Sequence, residues 1–252
     1  MTPPGPRRVR RLYPEPAGSV GLADAYPVPS GGRHLRLNMV TSLDGAAMLD
    51  GRVGALSGPT DRELMYTLRS VADVVLVGAG TLRSEGYGPW LVPGPMRRVR
   101  DEAGRSPSPR LAVISGRLDL DLTAAAFTRA TAPPIVFTAA TSPADRRAAV
   151  AAVAEVVVCQ GDQVDLAAAL AALAARGLVS VLGEGGPRVA AQLFAADLVD
   201  ELCLTVAPRV AGGHGPRITS GSALTPPPTL RIEQVLEDQG YLFLRYRRSP
   251  GD

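Results

Sequence analysis

"LGEGGPRVAAQLFAADLVDEL" (residues 182–202) is the stretch whose reading decides the fold. The apolar run "LVSVLG" (178–183) reads as a buried strand and ends in Gly183, Gly185 and Gly186. "PRVAAQLFAA" (187–196) then has helical apolar spacing. Pro187 suits the first helical position, because its missing N–H is not needed there. "DELCLTVAP" (200–208) returns to a strand pattern. Strand, glycine turn, helix, strand implies parallel strands with a crossover helix. Gly185 and Gly186 let backbone N–H groups approach an anion, and the helix dipole adds to the attraction. The stretch is therefore built like a phosphate cradle, with a plain tight connection as the alternative. It is not the G-x-G-x-x-G fingerprint, since Arg188 stands at the third glycine position and the stretch lies late in the chain.

The same alternation extends in both directions. "HLRLNMV" (34–40) reads as a strand, followed by a glycine-rich loop and a helix over 61–72. "DVVLVG" (73–78), "RLAVIS" (110–115), "PIVFTA" (134–139) and "EVVVC" (155–159) read as buried strands. "TLRSEG" (81–86) reads as a short helical turn, and 86–109, rich in Gly, Pro and Arg, as a mobile loop. Ser142 is expected to cap a helix with Pro143 in its first position. "VDLAAALAALAARG" is a helix stopped by Gly177. The end, 229–248, reads as two strands joined at Gly240. The expected fold is α/β: a three-layer α/β/α domain over 33–248, with a mostly parallel mixed sheet and a C-terminal antiparallel hairpin. Residues 1–32 are expected to form a basic, Pro-rich, partly disordered tail.

Composition narrows the chemistry. All 27 Lys and Arg residues are Arg, which excludes a Walker lysine, a Schiff-base lysine and a Ser–Lys dyad. Two His and two Cys, widely spaced, draw no zinc site, so no metal is expected. Cys159 and Cys203 sit in apolar runs and read as buried free thiols of a reducing compartment. No secretory signal or membrane-length apolar stretch is seen, so a cytoplasmic protein is expected. Net charge is only +3, much of it from the N-terminal arginines. That cluster admits a non-catalytic dinucleotide- or RNA-binding reading, but aromatics at 4% supply few stacking platforms, making nucleic acid unlikely as a partner.

The motifs "TSLDG" (41–45), "VGAGTLRSEGY" (77–87), "VISGR" (113–117), "LGEGGP" (182–187) and "VDELCLTVAP" (199–208) occur in this order. In order and spacing the chain resembles, from about residue 33 to 248, the reductase domain of bacterial riboflavin biosynthesis, of the dihydrofolate reductase-like superfamily. The likeness is greatest to stand-alone actinobacterial members, which lack a deaminase half. The resemblance implies NADPH as cofactor. It assigns the pyrophosphate to Gly183, Gly185, Gly186, Pro187 and Arg188, and a cofactor phosphate to Thr81, with Gly78 and Gly80 allowing close approach. Thr81 as a helix cap alone is the plainer reading. Ser115 and Arg117 resemble the pair that receives the adenosine 2′-phosphate, an oxyanion suited to the guanidinium fork. Thr41 and Ser57 are expected to line the nicotinamide end. Glu184 sits awkwardly beside phosphates and is expected to face the substrate ring or a ribose hydroxyl.

Two acids are catalytic candidates. Asp61 begins a helix and resembles the carboxylate that grips an N–C–NH₂ edge in dihydrofolate reductases. Glu85 falls where the riboflavin reductases usually carry Asp, and is also expected near the cofactor. Asn38 stands where those enzymes commonly carry Lys and is expected to hydrogen-bond the ring. The segment after Glu85 lacks their "DP…R" pattern, with Arg97, Arg98 or Arg100 as substitutes for its arginine. The implied activity is a 5-amino-6-(5-phosphoribosylamino)uracil reductase-like one, with a dihydrofolate reductase-type activity as the alternative. Related reductases are usually dimers, and an apolar sheet margin at "DELCLTVAP" and the terminal hairpin also points to a homodimer.

Overall fold

A computed structural model describes residues 7–29, 31–49, 51–86, 88, 92 and 94–249. Its centre is a run of seven parallel strands. In chain order these are β3 (His34–Thr41), β4 (Val74–Gly78), β5 (Arg110–Ile114), β6 (Ile135–Ala139), β7 (Glu155–Cys159), β8 (Ser180–Gly183) and β9 (Glu201–Val206). β10 (Leu230–Asp238) and β11 (Tyr241–Arg248) form the expected antiparallel hairpin, turned at Gln239–Gly240. With β1 (Arg8–Tyr13) and β2 (Ala17–Gly21) the sheet order is β2-β1-β10-β11-β9-β3-β8-β4-β5-β6-β7.

The helices fill both faces because the central strands are apolar on both. Every residue of β4 and of β6 is buried, as strands covered from two sides require. On one face, α2 (Pro59–Val71) seats Leu64 and Leu68 against Val75, Val77 and Leu182. On the other, α7 (Leu166–Ala174) and α8 (Pro187–Ala195) bury Leu170, Leu173, Ala190 and Leu193 against Leu35, Leu37 and Leu76. α7 is started by the Asp165 carboxylate, which accepts from Ala168 N at 3.0 Å. Short α1 (Leu22–Ala25) and α5 (Ala125–Thr128), with α3 (Ala79–Glu85), α4 (Gly94–Glu102) and α6 (Ala144–Ala151), complete the layers.

Four expectations are corrected. The N-terminal segment is not a disordered tail from Arg7 onward; residues 1–6, 30 and 250–252 lie outside the described residues. β1 pairs with β10, with Arg10 opposite Glu237, and Val9 is 2% exposed beneath the sheet. The arginines of the expected tail are used: Arg8 Nε donates to Ser19 Oγ, Arg10 Nε to Glu237 and Arg11 Nε to the Glu15 carbonyl. Residues 94–102 of the expected mobile loop are helical as α4, while 87, 89–91 and 93 lie outside the described residues. Arg100 is 1% exposed and points inward, its Nη1 donating to the carbonyls of Arg69, Ser70 and Ala72 at the end of α2. A cation there satisfies carbonyls that the helix leaves open. Arg100 is thus spent on structure and does not reach a ligand. Ser142 precedes α6 without capping it, since Pro143 takes the cap position and the Ser142 hydroxyl receives Arg147.

Candidate active site

The C-terminal ends of β3, β4 and β8 open on one cleft of ≈ 260 Å³. Backbone bonds hold the two glycine turns side by side. Glu184 N donates to Leu76 O at 3.0 Å and Gly78 N to Gly185 O at 2.9 Å. Gly185 has φ +93°, which an L side chain rarely adopts, and the Gly185–Gly186 peptide is cis. Gly186 caps α8 and leaves room for nothing larger: a Cβ there would lie 2.5 Å from Thr81 Oγ1. Thr81 stands in the first turn of α3, so two helix N-termini and one hydroxyl meet at the same wall. Open N–H groups and aligned dipoles favour a phosphate there.

The opposite chemistry comes from β3 and α2. Gly58 caps α2 and Pro59 takes its first position, which sets Asp61 in the first turn. The Asp61 side chain lines the cleft in a residue only 8% exposed, and Ser57 Oγ donates to it at 2.5 Å. Burial pushes the Asp61 carboxyl above its ordinary range, opposed by the hydroxyls of Ser57 and Thr205 and by Arg62. Asn38 also lines the cleft, and its buried Oδ1 accepts no hydrogen bond from the protein. A buried acceptor left open at a cleft wall is prepared for a ligand N–H. Glu85 reaches the same cleft, its Oε1 accepting from Val53 N at 3.4 Å.

The expected site residues divide into those brought together and those held apart. Asn38, Ser57, Asp61, Thr81, Glu85, Glu184, Gly185, Gly186 and Pro187 line one cleft. Gly78 and Gly183 lie beneath it as close-packing positions. A Cβ at Gly183 would meet Leu37 Cδ2 at 2.5 Å, and one at Gly78 would meet Val189 Cγ2 at 3.0 Å. Gly80 faces open space. Thr41 is not on the wall: its buried hydroxyl is turned to the carbonyls of Ser42 and Ala46, which shape the following turn. Arg188 is exposed on α8 and outside the lining. Ser115 and Arg117 follow β5, next to β4 in the sheet, at the same C-terminal margin but beyond the cleft walls.

Glu184 needs a correction of role. Arg69 Nε and Nη2 donate to its two carboxylate oxygens, both at 2.7 Å, with the side chains 7% and 4% exposed. The like-charge problem beside phosphates is removed because a guanidinium of α2 neutralises the carboxylate. A bidentate buried pair of this kind ties α2 to the glycine turn, and loss of one partner would leave an uncompensated charge. Glu184 therefore fixes the turn, and its carboxylate reaches the cleft wall already neutralised by Arg69. Sequence reasoning missed Arg69, and also the wall of Met39, Met48 and Met65. These are three of only five methionines, an uneven use of a polarizable, adaptable side chain that suits a planar ring.

A parallel sheet whose strand ends carry paired glycine turns, with a buried carboxylate in the same cleft, defines an α/β protein with an anion-type wall and an acid in one site. The chain belongs to the RibD C-terminal domain family, whose model matches residues 33–242. It is 28% identical over 201 residues to a 2,5-diamino-6-ribosylamino-4(3H)-pyrimidinone 5′-phosphate reductase of Archaeoglobus fulgidus, covering 79% of this chain and 90% of that one. A pyrimidine reductase-like protein of Corynebacterium diphtheriae superposes with a TM-score of 0.79 at 30% identity, covering 87% of this chain and 93% of that one. The riboflavin biosynthesis reductase Rib7 of Saccharomyces cerevisiae shares the fold, with a TM-score of 0.65 at 20% identity over 90% of this chain and 94% of that one.

Proposed function

We propose that the chain is an NADPH-dependent reductase acting in the cytoplasm on a phosphoribosylaminopyrimidine. The observation that carries the reading is Asp61, a buried carboxylate in the same cleft as the two glycine turns. A carboxylate pairs with an N–C–NH₂ edge. A 2-amino pyrimidinone presents that edge and a uracil does not, so Asp61 favours the 2,5-diamino substrate over its deaminated counterpart. Asn38 Oδ1 accepts a further ring N–H, and the methionine wall excludes water from the face of the ring. The pyrimidine is then the handle, and the ribosyl C1′, opened to its imine, is the reducible carbon. NADPH, when bound, supplies the hydride. Gly185, Gly186 and Thr81 hold its diphosphate, and Glu85 is assigned to deliver the balancing proton to the exocyclic nitrogen.

NADPH oxidation tested with the diaminopyrimidinone phosphate, its uracil analogue and dihydrofolate checks this. The first is expected to be turned over fastest, and oxidation with none of them sinks the proposal. Dihydrofolate as the best substrate supports the second reading, a dihydrofolate reductase-type activity. Two features favour that reading: the same Asp61 edge recognition, and Asn38 where a lysine is common.

Arg117 is assigned to the 2′-phosphate, on its place at the C-terminal margin beside β4. Arg117→Ala is expected to weaken NADPH roughly ten- to a hundredfold, the loss of one charge-assisted hydrogen bond, with NADH affinity unmoved. Titration of both cofactors measures it, and equal weakening of the two would reject the role.

A homodimer is also proposed, for a different reason than a bare margin. The hairpin edge is covered by β1, so the margin argument fails. A sheet face remains half-buried instead: Leu204 opposite Leu244, Val206 opposite Leu242, and Val235 beside them. Apolar area of this kind is stabilised by a partner face. Sedimentation is expected to show twice the chain mass, falling to one chain for Leu244→Glu. A monomer at every working concentration is the contrary result.

A further inference from the structure

At the end of the parallel strands opposite the reductase cleft lies a larger cavity, ≈ 460 Å³. The starts of β3 and β9, the end of β11 and the Pro27–Pro29 loop wall it. None of its lining residues is shared with the cleft. Its charge is unbalanced. Glu201 is 1% exposed and is approached by Arg36 Nε at 2.6 Å, by His34 Nε2 at 3.6 Å and by Arg245 Nη1 at 3.9 Å. Burial alone would raise the Glu201 carboxyl, but His34, Arg36 and Arg245 together hold it down at about 2. The other acid, Asp200, is turned to the Leu35 N–H at 2.7 Å. Arg248 is paired outside the cavity with Asp197, whereas Arg247 has no acid partner among the described residues. Two buried nitrogens, His34 Nε2 and Arg245 Nε, have no hydrogen-bond partner.

Buried nitrogens left open, as His34 Nε2 and Arg245 Nε are, cost stability unless something accepts from them. We propose that this cavity is a second anion site, which takes the phosphate group of a small phosphorylated molecule on Arg36, Arg245, Arg247 and His34. Donors from two separate strands approach from different directions. A tetrahedral phosphate offers three oxygens to such a set, while a planar carboxylate offers two. The cavity falls in the size range of small-molecule sites and leaves room for an organic remainder beyond the phosphate.

The chain has only two histidines, which makes the test site-specific. Imidazole NMR of the full chain is recorded while inorganic phosphate is titrated, with acetate as the carboxylate comparison. Phosphate is expected to move the His34 ring signals saturably and leave those of exposed His214 in place. Phosphate in the reductase cleft would not move His34, so the two sites are told apart. Arg247→Gln, at an exposed position, and Arg245→Gln are each expected to weaken the effect at least about tenfold. Equal movement of both histidines, no saturation, or an undiminished response in Arg247→Gln overturns the site. Acetate acting as strongly as phosphate overturns the phosphate assignment.

Discussion

Asp61→Asn is expected to lower turnover by about two to four powers of ten while leaving NADPH affinity nearly unchanged. The substitution keeps the size of the side chain, and Asn can still accept from Ser57 Oγ. What it removes is the negative charge that pairs with the amidine-like edge and orients the substrate. The glycine turns and Thr81 belong to other elements and keep their geometry. Stability separates this from a merely structural role. Burial raises the Asp61 carboxyl, so ionising it costs more in the folded chain than in the unfolded one. Stability linked to this group is fully present below the ordinary carboxylate value of about 4 and is lost as pH rises through the raised folded value. The wild type therefore carries that cost at neutral pH and the variant does not. Its Tm is expected to equal or exceed that of the wild type at pH 7, with the difference closing below about pH 4. Steady-state kinetics and thermal melts on the same preparation decide it. Near-normal turnover with the best substrate would return Asp61 to a helix-start role and leave Glu85 as the acid to test.

Gly186→Ala is expected to weaken NADPH about ten- to a hundredfold with little change in the fold. The backbone at Gly186, φ −75°, is open to any residue, so the effect comes from space and not from strain. The added Cβ would lie 2.5 Å from Thr81 Oγ1, and a short β-branched side chain has few rotamers into which to retreat. Thr81 would have to turn its hydroxyl away from the wall proposed to hold the diphosphate. This cause has its own signature. Gly186→Ala added to Thr81→Ala is expected to cost little more than Thr81→Ala alone, a non-additive pair measured by a double-mutant cycle on cofactor affinity. Full additivity would place the effect elsewhere, in the N–H groups at the start of α8.

The helix–strand order of residues 33–248 was legible because long apolar periods report burial on two faces or one. The glycine turn was legible for a related reason: Gly185 and Gly186 followed by Pro187 can do few things other than end a strand and start a helix closely against a neighbour. Asp61 was legible as a helix-start acid, but its pairing with Ser57 was not: the two were expected at different ends of the site, and the structure turns Ser57 Oγ onto the carboxylate. β1 was not legible. In "RVRRLY" only Val9 turns inward, and what makes the segment a strand is β10, more than two hundred residues away. α4 was hidden for a similar reason, since its arginines read as loop composition until Arg100 meets the carbonyl ends of α2.

The sequence by itself determined the layered α/β order and the position of the glycine turn, which rest on local spacing and on backbone freedom. Its resemblance to known reductases pointed to Asp61 and Glu85, which the structure places in one cleft. Only the tertiary structure decided which charges are available. Glu184 lies beside the phosphate turn in sequence, yet its carboxylate is taken by Arg69, 115 positions earlier. Thr41 lies at the right strand end, yet its hydroxyl is turned to the backbone. Arg36, Arg245 and Glu201, spread over the length of the chain, meet at one buried point. A charge's role depends on its partner, and partners brought together by sheet register leave no trace in local spacing.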